Sequence, residues 1–280
     1  MLKQFIQQAK VIVFDMDGTL YEGTGHFRLL AENIKHHLPE DQQQAYMSCY
    51  ESFKQGNSPL KIGTVYDAEH DVIFEWDPFA ERLSKARNWD NEPVSVQDVP
   101  DRLRVKDFDF QRWVPIGDGW WPPHVIGRHF GLTNEHTETA YHQTKEQMAE
   151  KQDYLTPTPG LKTFLESISP SKKLVLMTNS EKNDVQRILS QLGIDHLFKD
   201  RITSAYKPVK TRDHLERIID TYQVNPEEVL SVGDNFMNEI APALQLGVKA
   251  IWITQSNQVP VKDERYINVP TLENIHVIMG

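Results

Sequence analysis

Cysteine is almost missing from this 280-residue chain. Cys49 stands alone, which excludes an internal disulfide, matches no zinc-ligand spacing and points to a reducing compartment; the thiol reads as a small hydrophobe. Positive charge is also in deficit: 30 Lys and Arg face 40 Asp and Glu, for a formal net charge of -10. A nucleic-acid binder needs basic stripes to displace counterions from the phosphate backbone, so DNA and RNA are rejected as partners. No unbroken apolar run of membrane-spanning length occurs, and Gln4, Gln7 and Gln8 interrupt the stretch that a signal peptide would need. The expectation is a cytoplasmic protein without membrane contact. Internal repeats and low-complexity tracts are absent as well.

What is present is the composition of a globular protein, with 39% hydrophobic and 25% charged residues. The length predicts one core of ordinary size and a second, smaller one. Apolar runs at 11–14, 174–177, 230–232 and 248–253 end in polar or glycine-rich turns and read as buried strands. Between them lie helical patterns: 181–192 stops at Gly193, 236–246 stops at Gly247, and 211–222 places Leu215, Ile218 and Ile219 on one face. Asn225-Pro226-Glu227-Glu228 reads as a cap with proline in the first turn.

Strands alternating with helices predict an α/β class, a doubly wound parallel sheet with helices on both faces. The alternation breaks after the first strand and resumes only near Thr158-Pro159-Gly160. The gap, on the order of 130 residues, is too long for a loop. Residues 1–21 and 155–280 are therefore assigned to the core and 22–154 to an inserted, mostly helical domain. That insert opens with helical patterns at 27–37 and 41–55 and closes with another at 133–150. Its middle, 64–123, is interrupted by proline and aspartate and yields no assignment.

The chemistry sits at strand ends. The first strand runs into Asp15-Met16-Asp17-Gly18-Thr19-Leu20, and in an extended chain residues two apart project to the same side, which puts Asp15 and Asp17 in one pocket. Gly18 permits a sharp turn that exposes backbone N–H groups to an anion. Thr178-Asn179, Lys207-Pro208 and Gly233-Asp234 follow later strands, the Lys207 strand being read at 201–205. Ligands of open parallel sheets bind along the carboxyl edge, so these side chains converge on one crevice. Two unit charges about 4 Å apart repel by about 4 kcal/mol at an effective dielectric near 20. Asp15, Asp17 and Asp234 with a phosphate exceed what Lys207 can offset, so a divalent cation is expected, and hard oxygen ligands favour magnesium.

These four segments resemble, in order, the motifs of the haloacid dehalogenase (HAD) superfamily of phosphohydrolases: Asp15 to Leu20, then Thr178, then Lys207, then Gly233-Asp234-Asn235 with Glu239. They cover the strand edges of the core, about half of the chain, and the insert resembles the family's helical cap. The resemblance implies a phosphatase acting on a small-molecule phosphate ester. Asp15 would be the nucleophile and Asp17 the acid and then the base. Thr178 would hold a phosphoryl oxygen and Lys207 would neutralise charge, with Gly18, Thr19 and Asn179 against the substrate. Magnesium would take the Asp15 carboxylate, the Asp17 backbone carbonyl and Asp234, with Glu239 as an auxiliary ligand. Glu239 stands where the motif often has aspartate, a difference a water could absorb. Family members that cleave carbon–halogen or carbon–phosphorus bonds lack an acid at the position of Asp17, which favours phosphate esters. A phosphomutase would use the same residues, and a non-catalytic binding protein on this scaffold is the alternative from another class.

Other features stay outside that scheme. Trp76, Trp89, Trp113, Trp120 and Trp121, five of the six tryptophans, crowd the middle of the insert, where cap packing or a dimer interface is favoured over a binding pocket. Eight of eleven histidines lie in the insert, yet His124, His129, His136 and His142 show no metal spacing. His26 and Arg28, near the start of the insert, are its best candidates for touching substrate.

Overall fold

In the computed structural model the described residues are all of 1–280 except 24, 98, 101, 151–154, 256–259, 276 and 278–280. The chain divides into two compact units, one made of Met1–Glu22 with Thr156–Gly280 and the other of Gly23–Leu155.

The chain opens with helix α1 (Leu2–Gln8), strand β1 (Val11–Phe14) and a short strand β2 (Tyr21–Glu22). The second unit then follows as helices α2 (Gly25–Lys35) and α3 (Glu40–Lys54), strands β3 (Thr64–Asp67), β4 (Val72–Asp77), β5 (Arg82–Arg87) and β6 (Trp113–Pro115), and helices α4 (Trp121–His129) and α5 (Asn134–Glu150). The first unit resumes with β7 (Thr156–Pro157), α6 (Leu161–Ile168), β8 (Lys173–Met177), α7 (Lys182–Leu192), β9 (Asp200–Ile202) and α8 (Thr211–Tyr222). It ends with β10 (Val229–Gly233), α9 (Ala241–Gln245), β11 (Lys249–Ile253) and β12 (Tyr266–Val269).

In the first unit six strands form one sheet in the order β12-β11-β10-β1-β8-β9, every neighbouring pair parallel. This is the doubly wound α/β core that the alternation predicts. All four residues of β1 are buried, as a strand covered by helices on both faces requires. The helices supply matching stripes: α6 buries Leu161, Phe164, Leu165 and Ile168 at the spacing of one helical face, and α8 buries Leu215 and Ile218. Each such side chain contributes roughly 1.5–3 kcal/mol of burial. A two-residue antiparallel ladder, Tyr21 against Pro157 and Glu22 against Thr156, ties β2 to β7.

The second unit is only partly helical. Across the stretch that gave no assignment, β3 to β6 build a four-stranded antiparallel sheet in the order β5-β4-β3-β6, bulged between Phe74 and Glu75. Tyr66, Ile73 and Val114 are cross-strand neighbours on one face. They pack with Leu30 and Ile34 of α2, Tyr46 and Tyr50 of α3 and Val125 and Ile126 of α4 in one apolar core.

The tryptophans of this unit are packing residues. Trp76 meets Phe108 edge-on, Trp113 meets Phe74, Trp120 lies against His26 and Tyr141, and Trp121 tilts on Phe110. Trp89 stacks on His129 at 4.2 Å, and both reach Asp71: Trp89 Nε1 donates to Oδ1 at 2.7 Å and His129 Nδ1 lies 2.7 Å from Oδ2. Burial holds the His124 imidazole down near a pKa of about 4, neutral at physiological pH. The Cys49 thiol is pushed up to about 11 by burial and by Asp71, which leaves it little thiolate. Among the described residues no helix is long and apolar enough to cross a membrane.

Candidate active site

Parallel register brings four loops to the same edge of the core sheet. Phe14 of β1 pairs with Leu176 of β8 and Val232 of β10, and Met177 pairs with Ile202 of β9. The residues that follow these strands are Asp15, Thr178, the loop carrying Lys207, and Asp234.

Asp15 is buried at 7% exposure, and its N–H bonds the Val232 carbonyl at 2.9 Å. Lys207 Nζ lies 2.6 Å from Asp15 Oδ1 and 2.6 Å from Glu239 Oε1, a buried cation shared by two carboxylates. Burial opposes its charge, but Asp15 and Glu239 outweigh it and hold the ammonium well above the ordinary lysine value. The Asp15 carboxyl is raised by burial, an effect Lys207 opposes and Asp17 adds to. The lysine arrives on strained backbone, since Ser204 and Tyr206 hold φ of 45° and 55°. Asn179 fixes it from the side: its Oδ1 accepts from Lys207 N at 2.7 Å and its Nδ2 donates to Lys207 O at 3.1 Å. Asn179, expected against substrate, spends both ends of its amide on this backbone. Thr178 is woven into the same edge through Thr178 N to Ile202 O and Ala205 N to Thr178 O, both 2.9 Å. Its hydroxyl oxygen accepts from Ser180 N at 3.1 Å.

Gly18 turns with φ of 70°, and a Cβ there would come 2.8 Å from Asp234 Cγ, so only glycine admits the aspartate against this turn. Gly233 makes a similar concession, because a Cβ would lie 2.6 Å from Glu239 Cγ. Trp252 Nε1 donates to the Asp234 carbonyl at 3.0 Å and anchors that loop. Asn235 caps a single π-turn, Phe236–Ile240, its Oδ1 accepting from Met237 N and Asn238 N at 3.0 Å. Glu239 lies on that turn, and its Oε2 accepts from Asn235 N at 3.0 Å. Glu239 thereby fixes both Lys207 and the Asp234-Asn235 loop. The Thr19 hydroxyl and Asn235 Nδ2 are buried without a partner among the described residues, which leaves hydrogen-bonding capacity at the site.

Two residues missed in the sequence complete it. Tyr21 OH donates to Asp17 Oδ1, and Ser180 Oγ donates to Asp17 Oδ2 at 3.2 Å. Both directly follow or adjoin a motif, yet neither residue type carries a signal of its own. His26 and Arg28 belong to the other unit. His26 is buried against Phe27 and Trp120, and Arg28 is paired with Glu51 at 2.6 Å and with Glu32.

The donors near Asp15 suit a hard divalent cation: they are carboxylate and carbonyl oxygens, and Asp234 is pressed against the Asp17-Gly18 turn. Among the described residues the one trio of ligand side chains gathered within 4.8 Å is Asp67, Glu69 and His70, in the other unit. Arg112 already pairs with both acids of that trio.

A family model described as haloacid dehalogenase-like hydrolase matches residues 9–247. Glyceraldehyde 3-phosphate phosphatase of Pyrococcus abyssi is 25% identical over 253 residues, 87% of this chain and 80% of the relative. The enzyme of the same name from Pyrococcus furiosus is 23% identical over 257 residues, 88% and 81%. Among solved structures, the HAD-hydrolase YfnB of Bacillus subtilis, bound to magnesium, aligns with a TM-score of 0.53 at 12% identity over 97% of this chain and 98% of that one. A HAD phosphatase from Thermococcus onnurineus aligns with 0.52 at 17% identity, covering 97% and 98%. These structures share the fold. With the family model spanning most of its length and the four motif segments on one sheet edge, the chain is an enzyme that belongs to the haloacid dehalogenase-like hydrolases.

Proposed function

We propose that the chain is a magnesium-dependent phosphomonoester hydrolase that acts on a small phosphorylated metabolite through an aspartyl-phosphate on Asp15. The observation that carries this reading is the buried Asp15–Lys207–Glu239 bridge, a carboxylate held beside a cation that persists when a phosphoryl group arrives. An Asp15 oxygen attacks phosphorus while Asp17 gives a proton to the departing ester oxygen. Water then attacks the phosphoryl group, Asp17 takes its proton, and Asp15 is freed as phosphate leaves. Lys207 offsets charge on Asp15 throughout, and Thr178 is the donor to a phosphoryl oxygen.

A divalent cation, when bound, would offset charge on the phosphoryl oxygens. The Asp15 carboxylate, the Asp17 carbonyl and Asp234 would hold it, with Glu239 supporting from Lys207 and Asn235. Magnesium is the choice of the donor chemistry, and a structural neighbour was solved with it bound. The relatives from Pyrococcus make a triose phosphate the first substrate to try. Residues 22–154 are proposed as the cap domain that selects the ester, and a cytoplasmic location suits both such a metabolite and the lone cysteine.

The test is phosphate release from glyceraldehyde 3-phosphate, other small phosphate esters and 4-nitrophenyl phosphate, with magnesium or EDTA. Activity should require the metal and be lost in Asp15→Asn. Hydrolysis that survives both EDTA and this substitution refutes the mechanism.

A further inference from the structure

The carboxylate of Asp17 is held at both ends. Tyr21 supplies a hydroxyl to Oδ1 and Ser180 one to Oδ2. Tyr21 is 0% exposed, and its backbone is fixed in the β2–β7 ladder opposite Pro157. Ser180 is 5% exposed and braced on both sides, its N–H to Thr178 Oγ1 at 3.1 Å and its carbonyl accepting from Ser204 N at 2.9 Å.

An aspartate at the start of a turn has several staggered side-chain positions open to it. Donors on both oxygens favour a single position. Both hydroxyls can donate or accept, but they are held differently: the phenol makes the shorter bond and its oxygen is fixed in place by a buried ring, whereas the serine oxygen lies 3.2 Å away on a short side chain whose hydroxyl turns easily. Oδ1 therefore stays an acceptor, and the oxygen able to change protonation without breaking the arrangement is Oδ2.

We propose that Tyr21 and Ser180 are positioning residues for Asp17, Tyr21 locking the carboxyl through Oδ1 and Ser180 accommodating the transferable proton on Oδ2. The inference rests on the phosphatase reading. In the first step a bond forms between an Asp15 oxygen and phosphorus and the ester P–O bond breaks. The electron pair stays on the departing oxygen, which takes the Oδ2 proton. In the second step a water oxygen bonds to phosphorus and one of its protons passes to Oδ2. The Asp15–phosphorus bond then breaks with its electron pair returning to the carboxylate.

A departing 4-nitrophenolate needs little help from a proton, whereas a departing alkoxide depends on one. The experiment measures kcat and KM with magnesium for the wild type, Tyr21→Phe and Ser180→Ala. The two substrates are 4-nitrophenyl phosphate and glyceraldehyde 3-phosphate, the latter replaced, where it is not turned over, by the alkyl monoester hydrolysed fastest. Tyr21→Phe should lower kcat/KM, which reports only the steps up to departure of the alcohol or phenol, by about 30-fold on the alkyl ester and by less than about 3-fold on the aryl ester. Ser180→Ala should show the same selectivity at about 5-fold. In an Asp17→Asn background, Tyr21→Phe should cost nothing further on the aryl ester.

Equal losses of kcat/KM on both esters, an unchanged kcat/KM on the alkyl ester, or a further loss in the Asp17→Asn background would overturn the proposal and leave the phosphatase reading standing. Should circular dichroism show that Tyr21→Phe does not fold, the Ser180→Ala ratio decides. A wild type that releases phosphate from no ester, at any magnesium concentration, removes the reading and the proposal together.

Discussion

Replacing Lys207 by methionine removes the ammonium while keeping most of the stem, and the structure sets the scale of the damage. The lysine side chain is 2% exposed, and its partners Asp15 and Glu239 are 9% and 3% exposed, each 2.6 Å from Nζ. Breaking a buried pair by removing one partner costs about 3–5 kcal/mol. Here one cation serves two anions, whose unrelieved repulsion at about 4 Å adds to that cost, so a loss near the upper end, about 5 kcal/mol, is expected. In a unit of this size that is a fall of roughly 10–20 °C in melting temperature.

The pH dependence has a definite sign. In the wild type, Lys207 is raised above its ordinary 10.5, so its contribution is complete below that value and is lost only as pH rises through the folded one. It is flat between pH 5 and 7.5. In Lys207→Met the Asp15 carboxyl, already raised by burial, loses the cation that opposes that rise, and acidification protonates it and restores stability. Thermal unfolding followed by circular dichroism in EDTA, at pH 5 and 7.5, checks both statements. A variant that melts within about 2 °C of wild type at pH 7.5, or that gains nothing on acidification relative to wild type, refutes the reasoning.

Gly18→Ala forces a Cβ onto Asp234 at a residue with φ of 70°. Apparent magnesium affinity, read from the metal dependence of 4-nitrophenyl phosphate hydrolysis, should weaken by about 10-fold or more, with a stability loss of about 1 kcal/mol. Unchanged metal dependence would count against the placement of Asp234. In the other unit, burial opposes ionisation of Asp71, but bonds from His129, Tyr66 and Trp89 overcome it and hold the carboxyl below its ordinary value of 3.8. That contribution is present above 3.8 and lost as pH falls through the folded value. Asp71→Ala should destabilise the unit by about 1–2 kcal/mol at neutral pH, seen as a lower urea midpoint by tryptophan fluorescence. A variant as stable as wild type would show the cluster to be ornamental.

Most of the core sheet was legible because its strands are buried on both faces. The runs at 11–14, 174–177, 230–232 and 248–253 appear as β1, β8, β10 and β11 within a residue or two, and the pattern at 211–222 is α8. The pattern at 236–246 resolves instead into a π-turn and the short α9, a distinction that periodicity does not carry. The inserted sheet escaped notice for physical reasons. β3 is buried at all four positions, so it does not alternate, and β5, Arg-Leu-Ser-Lys-Ala-Arg, is polar and mostly open to solvent as an edge strand. At the candidate site, the motifs locate the segments that the parallel register brings to one edge of the sheet. Tyr21 and Ser180 act through long-range or turn geometry, Ser180 reaching Asp17 from 163 positions away, which no local pattern encodes.

The ladder of β2 and β7 makes the two crossings of the chain adjacent partners, Glu22 beside Thr156. Whatever is spliced between them meets the sheet at one doorway, and the strands behind it keep their pairing. Such a doorway turns the intervening stretch into an exchangeable cartridge: replacing it with a tight turn, or with another cartridge whose ends lie one strand spacing apart, leaves every parallel register of the six-stranded sheet as it is. On the proposed reading of residues 22–154 as the selecting domain, selectivity and hydrolytic chemistry can then change hands independently over evolutionary time.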